Sequence, residues 1–230
     1  MIILGLTDIH GDISPVASMA DELAAADVVL ISGDLTNFGR DKAARYTIDA
    51  LRKYGKTVLA VAGNCDYPEV EEYLRDRGVS LHRRAAVVGG IGFMGVGGSL
   101  PCPGTTPNEL TEDDFTRHLA EAHAQLPAGV PFVLVAHQPP AHTKNDLASN
   151  GEHVGSYALR RFITQQQPIL CCTGHIHESI GIDNIGITKV VNPGPFRLRR
   201  YMYAKVTRFG IEALEIRSLI RTPEQQEQPV

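Results

Sequence analysis

Short apolar runs bounded by turn residues recur along this chain, and most of them are rich in Val, Ile and Leu. Continuous apolar runs of this length are typical of strands that are buried on both faces of a sheet. We therefore predict strands at residues 2–6, 28–31, 58–62, 86–88, 92–96, 132–136, 169–173, 188–191, 202–206 and 211–216.

Helical patterns alternate with these runs over the first two-thirds of the chain. We predict helices at residues 14–26, 40–54, 69–77, 111–125 and 157–165. Ser14 and Pro15 form a favourable cap and first turn, and Thr111 with Asp114 forms an approximate capping box. The end of the chain reads as successive strands, which indicates antiparallel hairpins. Together these patterns predict an α/β fold in which two packed mixed β-sheets are flanked by helices.

The longest Gly/Pro-rich stretch, at residues 95–107, is the best position for a domain boundary. Strand-like and polar, potentially functional segments continue on both sides of it, so we predict one domain at residues 1–221. Residues 222–230 are polar and are expected to form a disordered tail.

Five of the predicted strands are followed directly by side chains that can bind a metal ion. These side chains are Asp8, His10, Asp34, Asn64, His137, His175 and His177. A single Asp or His at such a position is most often a turn former or a hydrogen-bonded edge residue. Five strand ends of this kind in one chain instead indicate a shared site, because α/β sheets build their sites at the carboxyl ends of strands. Glycines at positions 33, 63 and 174 let the backbone turn beside three of them.

The seven side chains comprise two carboxylates, four imidazoles and one amide. One ion cannot use seven such groups, whereas two ions bridged by Asp34 can. Nitrogen and oxygen donors without thiolate suit Mn²⁺, with Fe, Zn²⁺ or Ni²⁺ as alternatives. Two such ions can share a hydroxide that hydrolyses a phosphorus ester in line, without a protein nucleophile. We therefore predict a metal-dependent phosphoesterase in which Asp34, Asn64 and His137 also act in catalysis.

The chain resembles the calcineurin-like metallophosphoesterases. The matching motifs are DIH at residues 8–10, GDLTN at 33–37, GNCD at 63–66, a lone His at 137 and GHIH at 174–177. The resemblance implies a four-layer sandwich of two sheets flanked by helices. It also implies that Asp8, His10, Asp34 and His177 bind one metal ion, and that Asp34, Asn64, His137 and His175 bind the other.

Two positions depart from the pattern of the monoesterases in this family. Their GNH histidine acts on the leaving group and is oriented by the second Asp of GDxxD, but here Cys65 and Asn37 occupy these positions. The GNCD pattern resembles small bacterial and archaeal phosphodiesterases, so we predict a diester substrate. His153 or His142, in a polar segment after His137, can replace the missing acid.

Other assignments stay open at the level of sequence. The same site suits a phosphomonoesterase or a nucleotide-sugar pyrophosphatase that uses another acid, and a retromer-like scaffold retains this fold for protein binding. Full retention of the seven ligands argues against the scaffold. Asp12 and Asp66 can orient ligating histidines or act as turn and cap residues.

The composition limits the expected partners. A formal net charge of −4 gives no reason to expect an extended nucleic-acid face, and a cluster such as Arg83–Arg84 is usually solvated surface. No apolar run approaches the roughly 20 residues of a membrane span, and the first run is too short for a signal peptide. We expect a cytoplasmic protein that acts on a small phosphodiester or nucleotide-type substrate, with self-association into a homo-oligomer left open.

Overall fold

The structure, a computed structural model, describes residues 1–220. The predicted tail at residues 222–230 lies outside the described residues. One sheet contains the strands β1 (Ile2–Leu6), β2 (Val28–Ser32), β3 (Thr57–Val61), β10 (Arg200–Thr207) and β11 (Gly210–Ser218). Its order is β11-β10-β1-β2-β3, with β1, β2 and β3 parallel and β10 antiparallel to both of its neighbours.

The second sheet contains β4 (Ala85–Val88), β5 (Ile91–Val96), β6 (Phe132–Ala136), β7 (Leu170–Cys172), β8 (Gly181–Ile185) and β9 (Thr188–Asn192). Its order is β4-β5-β6-β7-β9-β8. The four central strands are parallel, and the two edge strands pair antiparallel with their neighbours. Both sheets therefore combine parallel and antiparallel strand pairs and are mixed, as predicted.

Alternate residues of each central strand face different layers, which explains the continuous apolar runs. Ile3 belongs to the core between the two sheets, together with Phe93 and Met202. Its neighbour Leu4 points to the opposite face of its sheet and packs with Ile48. Each fully buried side chain of this size stabilises the fold by roughly 1.5–3 kcal/mol through removal of apolar surface from water.

Helices cover the outer face of each sheet. They are α1 (Ala20–Ala25), α2 (Asp41–Arg52), α3 (Pro68–Asp76), α4 (Glu112–His123) and α5 (Tyr157–Gln166). The first three contribute to the core on the five-stranded sheet, and α4 and α5 contribute Phe115 and Leu159 to the core on the six-stranded sheet. The layers therefore run helix, sheet, sheet, helix, and the predicted fold class is confirmed. Within residues 1–220, no helix has the length and apolar character required to cross a membrane.

Three local predictions were wrong. Ser14 does not cap the first helix, because it is the first residue of a 3₁₀ helix whose cap position is Ile13, without a side-chain hydrogen bond. The helix predicted at residues 14–26 is a 3₁₀ helix (Ser14–Met19) followed by the short α1, because Met19 leaves the helical region with φ −115° and ψ 27°. The edge strand β8 was missed because its sequence, GIDNI, is half polar. The capping box was correct: Thr111 and Asp114 exchange side-chain and backbone hydrogen bonds at the start of α4.

Candidate metal centre

Five strand ends from the two sheets meet at one edge of the sandwich. Backbone hydrogen bonds tie the loops together: Asp8 N donates to Gly33 O at 3.1 Å, and His10 N donates to Asp34 O at 2.9 Å. The loop after β7 joins the loop after β6 through Gly174 N and His137 O, at 3.1 Å. The predicted ligand residues are therefore held on a connected backbone frame.

Four of these residues have a left-handed backbone, which is uncommon for residues other than glycine. The φ angles are 50° at Asp8, 48° at His10, 49° at Asp34 and 69° at His175. Such conformations cost on the order of 1–3 kcal/mol each and cluster at functional sites. The glycines predicted to form tight turns are therefore not alone, because the predicted ligand residues themselves also turn the chain.

The three glycines that precede ligands are needed for close packing. A Cβ at Gly63 would lie 2.0 Å from Asp34 Oδ1, and one at Gly174 would lie 1.9 Å from Thr7 Oγ1. Gly33 combines a φ of 96° with a Cβ position 2.3 Å from the His137 ring. Each glycine therefore lets a neighbouring loop place its polar side chain directly against the backbone.

Asp34 lies between two groups of donors. Its Oδ2 is 3.6 Å from His10 Nε2, and its Oδ1 is 3.5 Å from His137 Nε2. On the first side, His177 Nε2 lies 3.2 Å from Asp8 Oδ1 and 3.4 Å from His10 Nε2. One carboxylate therefore faces both groups, as a bridging ligand must.

On the second side, His137 Nε2 lies 2.9 Å from Asn64 Oδ1, and the rings of His137 and His175 are 5.1 Å apart. All seven predicted ligands thus lie in one cluster. Asp8, Asp34, Asn64 and His137 are buried, whereas His10, His175 and His177 are partly exposed at the mouth of the site.

The contacts around His137 fit a bound cation. His137 Nδ1 lies 2.8 Å from Ser32 O, an acceptor, so Nδ1 carries the proton and Nε2 presents a lone pair. The Asn64 Oδ1 opposite Nε2 is also an acceptor, so a cation bound by both atoms would satisfy them. His10 Nδ1 is buried without a hydrogen-bond partner among residues 1–220. The donor set therefore suits divalent metal ions.

Asp8 and His175 have protonation states that suit metal binding, whereas the hydrogen bond with Asp8 raises the pKa of His177. Burial opposes ionisation of Asp8, but its hydrogen bond with His177 and the proximity of the His137 and His177 rings lower its pKa to about 2. Burial lowers the pKa of His175 to about 3 and keeps this imidazole neutral. Ionised carboxylates and neutral imidazoles are the forms that bind metal ions.

Asp66 is a buried carboxylate that joins two ligand loops. It accepts hydrogen bonds from Leu35 N at 3.0 Å, Thr36 N at 2.9 Å, Thr36 Oγ1 at 2.7 Å and Gly63 N at 2.8 Å. Burial and the nearby charge of Asp34 raise its pKa to about 6. Of the two roles considered from the sequence, Asp66 has the turn-stabilising one. Asp12 likewise accepts from Ser14 N at 3.0 Å, at the start of the 3₁₀ helix.

Cys65 lies beside the cluster. Its backbone N–H donates to Asp34 Oδ1 at 2.9 Å, and its thiol can share a metal ion with His10 and Asp34, with ligand atoms within 4.8 Å of one another. Burial, followed by the charge of Asp34, raises the pKa of the Cys65 thiol well above its ordinary value. A neutral thiol of this kind is a poor acid. Asn37, the other departure from the family pattern, is exposed.

One residue next to the cluster was not predicted from the sequence. Cys102, in the Gly/Pro-rich loop, places its sulfur 3.8 Å from Asn64 Nδ2. Asn108 fastens the same loop by donating from Nδ2 to Gly63 O at 3.0 Å. No spacing rule links residue 102 to a motif that lies 38 residues earlier, so only the folded loop reveals the contact.

His153, the predicted acid, lies outside the cluster of seven. It is hydrogen-bonded to Asp146, with Nδ1 2.7 Å from Oδ1, and its ring lies 5.1 Å from that of His142. Among residues 1–220, no hydrogen bond joins His153 to the seven ligand residues.

The chain has relatives among known proteins. The chain matches the family described as calcineurin-like phosphoesterase over residues 1–179. It is 37% identical over 199 residues to the uncharacterized protein MJ1162 of Methanocaldococcus jannaschii, covering 85% of this chain and 88% of that protein.

Two solved structures have a similar fold. TT1561 of Thermus thermophilus superposes with a TM-score of 0.73 at 19% identity, covering 95% of this chain and 99% of that one. A dimetal phosphatase of Danio rerio superposes with a TM-score of 0.61 at 11% identity, covering 96% of each chain. On the family match and the relative of 37% identity, this chain belongs to the calcineurin-like phosphoesterase family.

Proposed function

We propose that this protein is a metal-dependent phosphodiesterase with two divalent ions in the cluster around Asp34. The observation that carries the proposal is the position of Asp34, whose two carboxylate oxygens face His10 at 3.6 Å and His137 at 3.5 Å. Family membership supports the broader assignment of a hydrolase that acts on phosphoric esters. The diester preference rests on Cys65 and Asn37.

The proposed ligand sets divide the cluster at Asp34. Asp8, His10, Asp34 and His177 would hold one ion; Asp34, Asn64, His137 and His175 would hold the other. When bound, a pair of divalent ions supplies activated water at neutral pH and offsets the negative charge of the phosphoryl oxygens. The imidazole and carboxylate donors suit Mn²⁺, Fe and Zn²⁺, and we propose Mn²⁺ as the preferred ion.

The protein's own residues orient this chemistry. The bond between His137 Nδ1 and Ser32 O fixes the ring so that Nε2 faces the cluster. Asn64 Nδ2 lies 3.7 Å from Cys65 Sγ and 3.8 Å from Cys102 Sγ, which turns Oδ1 of the amide toward His137. Loss of contacts that orient metal ligands in this way typically lowers metal affinity or activity by about 10–100-fold.

The diester preference follows from the group at position 65. In the family's monoesterases, a histidine and its aspartate partner act on the leaving group there. In this chain the thiol of Cys65 is held neutral by burial and by Asp34, which raise its pKa. A phosphomonoester reacts as a dianion, so the departure of its leaving group depends on that acid more than it does in a diester. A diester carries one negative charge less, so the site tolerates the loss better.

The test compares two substrates that share a leaving group. We expect the metal-loaded protein to hydrolyse bis(p-nitrophenyl) phosphate with a higher kcat/KM than p-nitrophenyl phosphate. Asp34→Asn should abolish both activities, whereas Asp49→Asn, an exposed aspartate on α2, should keep both. A higher kcat/KM for the monoester contradicts the diester assignment, and full activity of Asp34→Asn contradicts the metal site.

A further inference from the structure

Asp146 organises the segment between β6 and α5 from a fully buried position. Its carboxylate accepts hydrogen bonds from His142 N at 2.9 Å, Thr143 N at 2.8 Å and Gly155 N at 3.1 Å. The fourth contact is with His153 Nδ1, at 2.7 Å. A buried carboxylate with four donors is rigid, so the imidazole bonded to it has a fixed orientation.

The contact with Asp146 leaves one nitrogen of His153 free. Because the carboxylate is an acceptor, Nδ1 of His153 is the donor, and Nε2 remains for another partner. Nε2 forms no hydrogen bond within residues 1–220, and 40% of the side chain is exposed. The neighbouring His142 differs, because its Nε2 already lies 2.8 Å from the hydroxyl of Tyr157.

The segment around His153 is fastened to both chain segments that carry histidine ligands of the second sheet. Gln138, the residue after His137, donates from Nε2 to Val154 O at 2.8 Å. On the other side, Ser149 N donates to Oε1 of Glu178, the residue after His177, at 2.7 Å. The segment that carries the histidine is thus tied at two points to residues that adjoin predicted metal ligands.

The geometry points to His153 as the group that protonates the leaving group, with Asp146 as its positioning residue. This inference rests on the proposed function. As the bond between phosphorus and the leaving oxygen breaks, that oxygen takes the electron pair and the proton from His153 Nε2. The attacking water forms the new bond to phosphorus and gives up its proton to solvent, and His153 regains a proton from solvent. His153 and Asp146 thereby supply the pair of a histidine and a carboxylate that is missing at Cys65 and Asn37, although they lie far from these positions in the sequence.

The dependence of rate on the leaving group distinguishes a proton donor from a structural residue. p-Nitrophenolate departs readily without a proton, whereas phenolate needs one. The experiment measures kcat/KM for methyl p-nitrophenyl phosphate, methyl phenyl phosphate and the two corresponding monoesters. The proteins are the metal-loaded wild type, His153→Asn, Asp146→Asn and the same-loop control His142→Asn.

We expect His153→Asn to slow the phenyl esters by about 10²-fold or more and the p-nitrophenyl esters by less than about tenfold. Asp146→Asn should shift the ratio in the same direction, and combining the two changes should add little, since the residues act as one unit. His142→Asn should keep the wild-type ratio.

Equal slowing of both leaving groups, no slowing, or a changed ratio in His142→Asn alone overturns the role of His153. These outcomes are separate from failure of the diester assignment, which appears in the wild type as faster hydrolysis of monoesters. In that case the monoester pair gives the same test of His153. Absence of hydrolysis of all four esters by metal-loaded wild type overturns both proposals.

Discussion

Replacing Gly63 with alanine tests whether the packing of the ligand loops sets the geometry of the metal centre. The added Cβ would lie 2.0 Å from Asp34 Oδ1 and 2.2 Å from Asp34 N, and ordinary contact begins at 3.4 Å. The carboxylate must therefore retreat by about 1.4 Å, the difference between 3.4 and 2.0 Å. Ligand distances in metal sites tolerate only about 0.2 Å, so this movement removes Asp34 from its proposed bridging position.

The expected losses of Gly63→Ala follow from this displacement. Metal affinity should fall by about 10–100-fold and kcat by about 10²-fold, as for other misplaced supports of a site. The free energy of unfolding should fall by about 1–3 kcal/mol because of overpacking. The assay is a metal titration against a competing chelator, combined with diester hydrolysis and thermal unfolding.

Gly181→Ala is the matched control, since a Cβ there meets nothing within 4 Å. It should retain metal affinity and activity. Wild-type affinity and activity in Gly63→Ala would refute the argument that close approach of the two loops positions Asp34.

Three further predictions concern the site and its surroundings. Asp34→Asn should reduce the metal content from about two ions per chain toward zero, measured by elemental analysis of dialysed protein. Cys65→His combined with Asn37→Asp should increase monoesterase kcat/KM beyond the product of the two single effects. The gain should be part of the about 10²–10⁴-fold that general acids supply. Metal content must be measured in the wild type, the two single variants and the double variant. Burial raises the pKa of Glu71 to about 7 from its ordinary 4.5. Because the folded protein holds this proton more tightly than the unfolded chain, its stability falls as the pH rises from 4.5 to about 7. Glu71→Gln should therefore raise the free energy of unfolding by about 3 kcal/mol at about pH 8 and change it little at about pH 4, measured by urea denaturation.

Strand ends and motif order predicted the part of the site that depends on sheet topology. Residues such as Asp8, Asp34 and His137 follow parallel strands. The carboxyl ends of neighbouring parallel strands meet at one edge of the sheet, independently of the conformation of the loops. The cores between and outside the sheets were also predictable, because alternate residues such as Ile3 and Leu4 are both apolar. Edge strand β8 lacked this signal, since one of its faces needs no apolar cover.

The contacts made by loops were not predictable. Cys102 reaches Asn64 only because its loop folds back over the site, and Asp146 supports His153 only because a polar segment closes around a buried carboxylate. Left-handed backbone at Asp8 and His175 was also not predictable, because Asp and His adopt it more often than most residues but still at only a small minority of positions. These features depend on tertiary packing, which overrides local preference.

The dependence of diester hydrolysis on the number of bound ions tests the central claim most directly. Metal-free protein is titrated with Mn²⁺ while bound ions per chain and kcat/KM for bis(p-nitrophenyl) phosphate are measured on the same samples. We predict negligible hydrolysis in metal-free protein and full activity only as occupancy approaches about two ions per chain. Full activity in metal-free protein, or saturation at one ion per chain, would contradict a bridged pair of ions at Asp34.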